Sequence, residues 1–161
     1  MKTSIAIVVI SLLVLAACLG DGGGTKVVMQ FRVEGAAMLP SFPNGMFVDV
    51  LDYGSDAPQR GDVIVFHAPM SLNRDFIKRV VGLPGDTIDI MPETGEVLLN
   101  GEVLEEPYVQ GTTSCAQQCG PWIVPDDSYF VMGDNRENSS DSRQGWFVPA
   151  PDAVGWVESS G

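Results

Sequence analysis

The apolar residues of this chain come in short runs, with a turn former at most breaks. VVMQFRV (27 to 33), MFVDVLDY (46 to 53), DVIVFH (62 to 67), DFIKRVVG (75 to 82), DTIDIM (86 to 91), EVLLN (96 to 100) and YFVMGD (129 to 134) are rich in Val, Ile and Phe and partly alternate. Branched and aromatic side chains pack well on a pleated surface, so such runs read as strands. Asn100-Gly101, between VLL and EVL, is a hairpin signal, because both central residues of a type I′ turn need positive φ. Pro43-Asn44-Gly45, Gln59-Arg60-Gly61-Asp62 and Pro84-Gly85-Asp86 punctuate the other runs. The chain has 18 Gly and 11 Pro, and no helical period longer than two turns follows residue 20. An all-β domain is predicted over residues 27 to 158, an antiparallel coiled sheet or partly closed barrel. With 161 residues and no repeat or second linker, one domain accounts for the chain beyond its leader.

Residues 1 to 20, MKTSIAIVVISLLVLAACLG, carry one lysine and then an apolar run from Ile5 to Leu19. Fifteen residues of helix rise about 22 Å, short of a hydrocarbon core of roughly 30 Å. Two readings fit. Leu15-Ala16-Ala17-Cys18 resembles a lipobox, which would make Cys18 a lipidation candidate. Alternatively the segment is a short uncleaved anchor, with Lys2 inside and Asp21 outside. Residues 21 to 26 then form a Gly-rich tether. Either way the remaining chain is expected at the cytoplasmic membrane, on its extracytoplasmic face.

A net charge of -12 with no basic run excludes nucleic acid as a partner. Setting Cys18 aside leaves Cys115 and Cys119 in SCAQQCG, where a local disulfide is the leading reading and two free thiols the other. A zinc site would need two more ligands, and His67 is the sole histidine, so no metal and no cofactor is expected. His67 itself ends a strand before Ala68-Pro69 and reads as a surface or packing residue.

Three segments are richer in glycine and charge than folding requires: RGDVIVF (60 to 66), FIKRVVGLPGD (76 to 86) and GDNRENSSDSR (133 to 143). In the second, Lys78 sits between Ile77 and Val80. Its stem either snorkels to water or its amine is buried, and a buried amine loses charge stabilisation and becomes a base near neutral pH. The third is either a solvated loop or a buried, salt-bridged turn that presents serine hydroxyls to a site.

Taken together, these stretches resemble the type I signal peptidases, membrane-bound serine proteases with a Ser-Lys dyad that remove signal peptides from exported preproteins. The family's Ser-Met-x-Pro-Thr segment is matched by Ala37-Met38-Leu39-Pro40-Ser41. Its Lys-Arg-Val-x-Gly-x-Pro-Gly-Asp segment runs from Lys78 to Asp86, and its Gly-Asp-Asn-Arg-x-Asn-Ser-x-Asp-Ser-Arg segment from Gly133 to Arg143. The resemblance implies a signal-peptidase-type β fold with Lys78 as general base and Ser139 as the hydroxyl that orients its amine. It also implies Gly35 in the oxyanion pocket beside the amide of residue 37. Asp134 with Arg136 and Asp141 with Arg143 would support the loop. Phe31, Val33, Met38, Phe76 and Ile77 would line pockets for an Ala-x-Ala cleavage sequence; each reads equally as core. The implied partners are signal peptides and the membrane.

Position 37 departs from the family, which has its nucleophilic serine there. A lysine base with no hydroxyl to deprotonate cannot start acyl transfer. Ser41 is a poor substitute, since four residues of extended chain span about 13 Å. The chain is therefore expected to be inactive or nearly so, with a non-catalytic relative that still binds signal peptides as the alternative. A purely structural acidic lipoprotein fits the leader and composition but leaves the three motifs without a purpose.

Overall fold

The computed structural model describes residues 26–70, 74–115 and 118–158; the leader, Cys18 and most of the tether lie outside them. The seven apolar runs form β1 (Val27–Arg32), β2 (Phe47–Leu51), β3 (Val63–His67), β4 (Asp75–Gly82), β5 (Thr87–Ile90), β6 (Val97–Leu99) and β9 (Ser128–Met132). The hairpin partner of β6 is β7 (Glu102–Val103), joined to it through Asn100 at φ 53° and Gly101 at φ 87°. Both values are those a type I′ turn requires.

Three strands were not expected. β8 (Trp122–Ile123) and β10 (Val148–Pro149) are two residues long, and β11 (Ala153–Val157) contains a glycine. β10 is an edge strand, where proline lacks no ladder bond it would otherwise make. Gly155 is required by close approach: a Cβ there would strike the Leu51 carbonyl oxygen and Val50 Cγ1.

The strands form a seven-stranded sheet in the order β1-β2-β11-β3-β4-β9-β10 and a four-stranded sheet in the order β7-β6-β5-β8, every named pair antiparallel. The larger sheet ends at β1 and β10, so hydrogen bonds do not close it into a complete barrel. Among the described residues the only helices are single 3-10 turns, and none is long and apolar enough to cross a membrane.

Packing explains why β3 reads VIVF without alternation. Val63 and Val65 enter one core with Val33, Met38, Phe42, Val50, Ile77 and Val157, while Ile64 and Phe66 enter another with Val80, Val131, Trp146 and Val148. Both faces are covered, so all four side chains are buried, each contributing about 1.5–3 kcal/mol of transfer free energy. A third core, around Ile88, Trp122, Phe130 and Met132, joins the two sheets.

Gly155→Ala is expected to destabilise the domain by about 1–3 kcal/mol through overpacking against β2. In urea unfolding the midpoint should fall with the slope unchanged.

Candidate active site

Residues 35 to 42 do not run extended as the distance argument for Ser41 assumed. They fold into a turn in which Leu39 N–H donates to Ala36 O (3.2 Å) and Phe42 N–H to Met38 O (2.8 Å). Met38 and Phe42 plug the core beneath, which holds Ala37 at the rim of a cleft. The cleft measures about 570 Å³. Its walls include Ala37, Lys78 and Gly35 together with the five apolar residues Phe31, Val33, Met38, Phe76 and Ile77. Three of those five, Val33, Met38 and Ile77, also belong to the core, so the two readings of them are compatible.

Lys78 is 5% exposed. Its Nζ donates to the Ile77 carbonyl at 2.8 Å and lies 5.3 Å from the centre of the Phe76 ring. Desolvation lowers its pKa from 10.5 to about 8, against an opposing pull from the carboxylates of Asp141 and Asp134. Burial thus makes the amine a usable base in mildly alkaline solution.

The expected bond between Ser139 and the Lys78 amine is not formed. Ser139 Oγ is buried with no hydrogen-bond partner among the described residues, and the amine takes a carbonyl of its own strand. Ser139 nevertheless packs at the site: a Cβ on Gly133 would collide with Ser139 Oγ and with the Ala37 carbonyl oxygen. Glycine at 133 lets the loop and the turn touch. Asn135 fastens the same contact, its N–H on Ala37 O at 3.0 Å and its Nδ2 on Ala36 O at 3.1 Å.

The loop supports differ in part from the expected pairing. Asp141 does pair with Arg143 (2.8 and 2.9 Å) and also accepts Gly133 N–H at 3.1 Å. Asp134 pairs with Arg79, in two bonds of 2.9 and 2.7 Å, and not with Arg136. Arg136 reaches the other way to Glu106 (2.9 and 2.6 Å) and Thr113 (2.8 Å). The reason is direction: Asp134 faces β4, while Arg136 opens the 3-10 turn Arg136–Asn138 and points toward the 105–113 segment. Ser41 Oγ donates to Asp134 Oδ2 at 2.6 Å, so its hydroxyl is engaged by a carboxylate and does not line the cleft.

Gly35 holds φ +83°, a conformation glycine tolerates, but its N–H donates to Asn44 Oδ1 at 2.9 Å. It therefore shapes the turn and offers no donor to the cleft. Among the described residues the Ala37 amide has no acceptor, which leaves it as the candidate oxyanion donor. His67 is exposed and bonds Asp75 at 2.7 Å, and no cluster of metal-ligating side chains occurs among the described residues.

From residue 2 to residue 160 the sequence matches the family model for signal peptidase, peptidase S26. The chain belongs to the signal peptidase I family. It is 40% identical over 150 residues to signal peptidase I of Leptolyngbya laminosa, an alignment covering 88% of this chain and 72% of that protein. Signal peptidase I U of Bacillus subtilis is 35% identical over 164 residues, 95% of this chain and 84% of the relative. A crystal structure of a signal peptidase I from Enterococcus faecalis superposes with a TM-score of 0.52 at 31% identity, covering 64% of this chain and 98% of that one.

Within this signal peptidase framework, sequence reasoning missed Asn44, Asn135, Glu106 and the cleft residue Ser140. Asn135 lies inside a motif and could have been singled out; Asn44 and Glu106 act through contacts that no local pattern announces.

The lowered pKa of Lys78 has a definite sign for stability. The folded state releases the proton more readily than the unfolded chain, so charged Lys78 opposes folding fully below pH 8, and the opposition fades between pH 8 and 10.5. Lys78→Met is thus expected to raise stability at pH 7, by at most about 3 kcal/mol, and to have much less effect at pH 10.5. Denaturant titrations at the two pH values check this. An equal gain at both would show that the amine is not desolvated.

Proposed function

We propose that this chain is a signal-peptide-binding member of the family whose serine endopeptidase site is complete except for the oxygen at position 37. The observation that carries the reading is the placement of the Ala37 methyl, its unengaged amide and the buried Lys78 amine along one cleft. The apolar walls from Phe31, Val33, Met38, Phe76 and Ile77 offer burial to apolar side chains, as the alanines of an Ala-x-Ala sequence would use.

With serine at 37, neutral Lys78 would take the hydroxyl proton as the oxygen attacked the scissile carbonyl. The residue 37 amide would receive the oxyanion, and the resulting ammonium would protonate the leaving amine. In this reading Ser139, whose buried hydroxyl has no partner among the described residues, would accept the amine once it leaves Ile77 O. With that serine, base, donor and nucleophile would all be protein groups, so the chemistry calls on no cofactor. Alanine supplies no nucleophile. Loss of the serine in a comparable protease costs on the order of 10⁶ in kcat, so binding without cutting is the predicted behaviour.

The disulfide between Cys115 and Cys119 suits an oxidising compartment and supports an extracytoplasmic domain. In this reading residues 1 to 20 provide the membrane anchor or lipidated leader, 21 to 26 the tether and 27 to 158 the β domain.

Cleavage of an Ala-x-Ala preprotein in detergent, compared among the chain itself, Ala37→Ser and Ala37→Ser with Lys78→Ala, tests the reading. The chain itself should be at least about 10⁵-fold slower than Ala37→Ser, and the lysine change should return the double variant to background. Turnover by the chain as it stands, or none by Ala37→Ser, would overturn it.

A further inference from the structure

The Cys115–Cys119 disulfide lies outside the three motifs, yet it is wired to the loop that carries Ser139. Immediately before it, Thr113 Oγ1 accepts Arg136 Nη1 at 2.8 Å and the Ser114 carbonyl accepts Arg143 Nη1 at 3.1 Å. Arg143 in turn donates to the Arg136 carbonyl (2.8 Å) and grips Asp141, which holds Gly133 N–H. Arg136 Nε donates to the Gly133 carbonyl at 3.0 Å. Gly133 is the residue against which Ser139 Oγ and the Ala37 carbonyl pack.

On the far side of the bond, the Cys119 carbonyl accepts Ile90 N–H at 2.7 Å. Gly120 sits so close to β5 that a Cβ would meet the Ile88 carbonyl oxygen at 2.7 Å. Cys119 and Gly120 are thus seated on the second sheet, while Thr113 and Ser114, just before the bond, supply acceptors to both loop arginines. Both cysteines are partly exposed and rest on the core around Ile88 and Phe130.

We propose that the Cys115–Cys119 bond is a redox latch on the peptide cleft, closed when oxidised and released by a dithiol reductant. A reductant thiolate attacks one cysteine Sγ, giving a mixed disulfide and a free cysteine thiolate. The reductant's second thiol then displaces the other cysteine, so two electrons pass to the pair and the reductant leaves as a cyclic disulfide. Freed of the ring, residues 113 and 114 no longer hold Arg136 and Arg143 in register, and the Gly133 contact with Ala37 and Ser139 loosens. By the loop-entropy relation, a ring closed at sequence separation 4 restricts the open ensemble by roughly 30-fold, which bounds the effect. The latch rests on the peptide-binding reading above and adds regulation to it.

The full chain in detergent micelles, oxidised or treated with dithiothreitol, tests this by two measurements. The first is affinity for a fluorescent signal peptide containing Ala-x-Ala, for the chain and for Cys115→Ala with Cys119→Ala. Reduction should weaken binding by about 3- to 30-fold, and the double variant should match the reduced chain and ignore reductant. The second is amide hydrogen exchange, in which Gly133 and Arg143 should lose protection on reduction while Val65 in β3 keeps it. Equal affinity in both redox states overturns the latch and leaves peptide binding intact. If no peptide binds in either state, the peptide-binding reading falls, and with it the latch on that cleft, whatever the exchange data show. Loss of protection at Val65 as well would make the bond a staple of the whole domain and also overturn the latch.

Discussion

The site depends on one buried carboxylate. Asp134 is fully buried, receives two bonds from Arg79 on β4 and a third from Ser41 in the turn, and begins the loop that ends at Arg143. Three segments far apart in sequence thus meet on two oxygen atoms. A buried ion pair adds little net stability, because desolvation offsets most of its attraction, but removing one partner leaves an uncompensated charge. Its effect is to fix geometry: Arg79 neighbours Lys78, Ser41 follows the Ala37 turn, and the loop presents Ser139. Arg79 also stacks over the Tyr108 ring at 4.0 Å and donates to Gly61 O at 2.8 Å, so the guanidinium is held on several sides.

Around that anchor the chain sustains an unfavourable group. Charged Lys78 is desolvated, and its neighbouring carboxylates only partly compensate. Strain of this kind persists where the surrounding structure over-determines it, and here β3 and β9 flank β4 on both sides. The unpartnered Ser139 hydroxyl is a second such group. Both groups lie close to the turn that carries Ala37: Lys78 lines the same cleft, and Ser139 packs with the Ala37 carbonyl against Gly133.

Much of this was legible in the sequence because it is local. Seven strands follow from short apolar runs, and the Asn100-Gly101 hairpin follows from the φ values its turn demands. The motif segments gave the cleft residues through family resemblance. What stayed hidden is non-local. Asp134 and Arg136 stand two residues apart and invite pairing, yet the partner of Asp134 is 55 residues away across a strand pair. The Ser41 argument failed in its geometry because turn bonds among residues 36 to 42 fold back a segment read as extended. β11 was missed because its glycine, which argues against a strand locally, is what lets it approach β2.

The position of β11 also bears on how such a domain comes into being. β2 and β3 are consecutive in sequence but do not pair; the last strand of the chain is threaded between them. Val157 completes the core beneath the cleft, next to Val50 on one side and Val63 on the other. A chain emerging N-terminus first therefore cannot complete that sheet until residues 153 to 157 arrive. Contacts of such long sequence separation form late and slowly. The core beneath the cleft is therefore among the last parts of the domain to close.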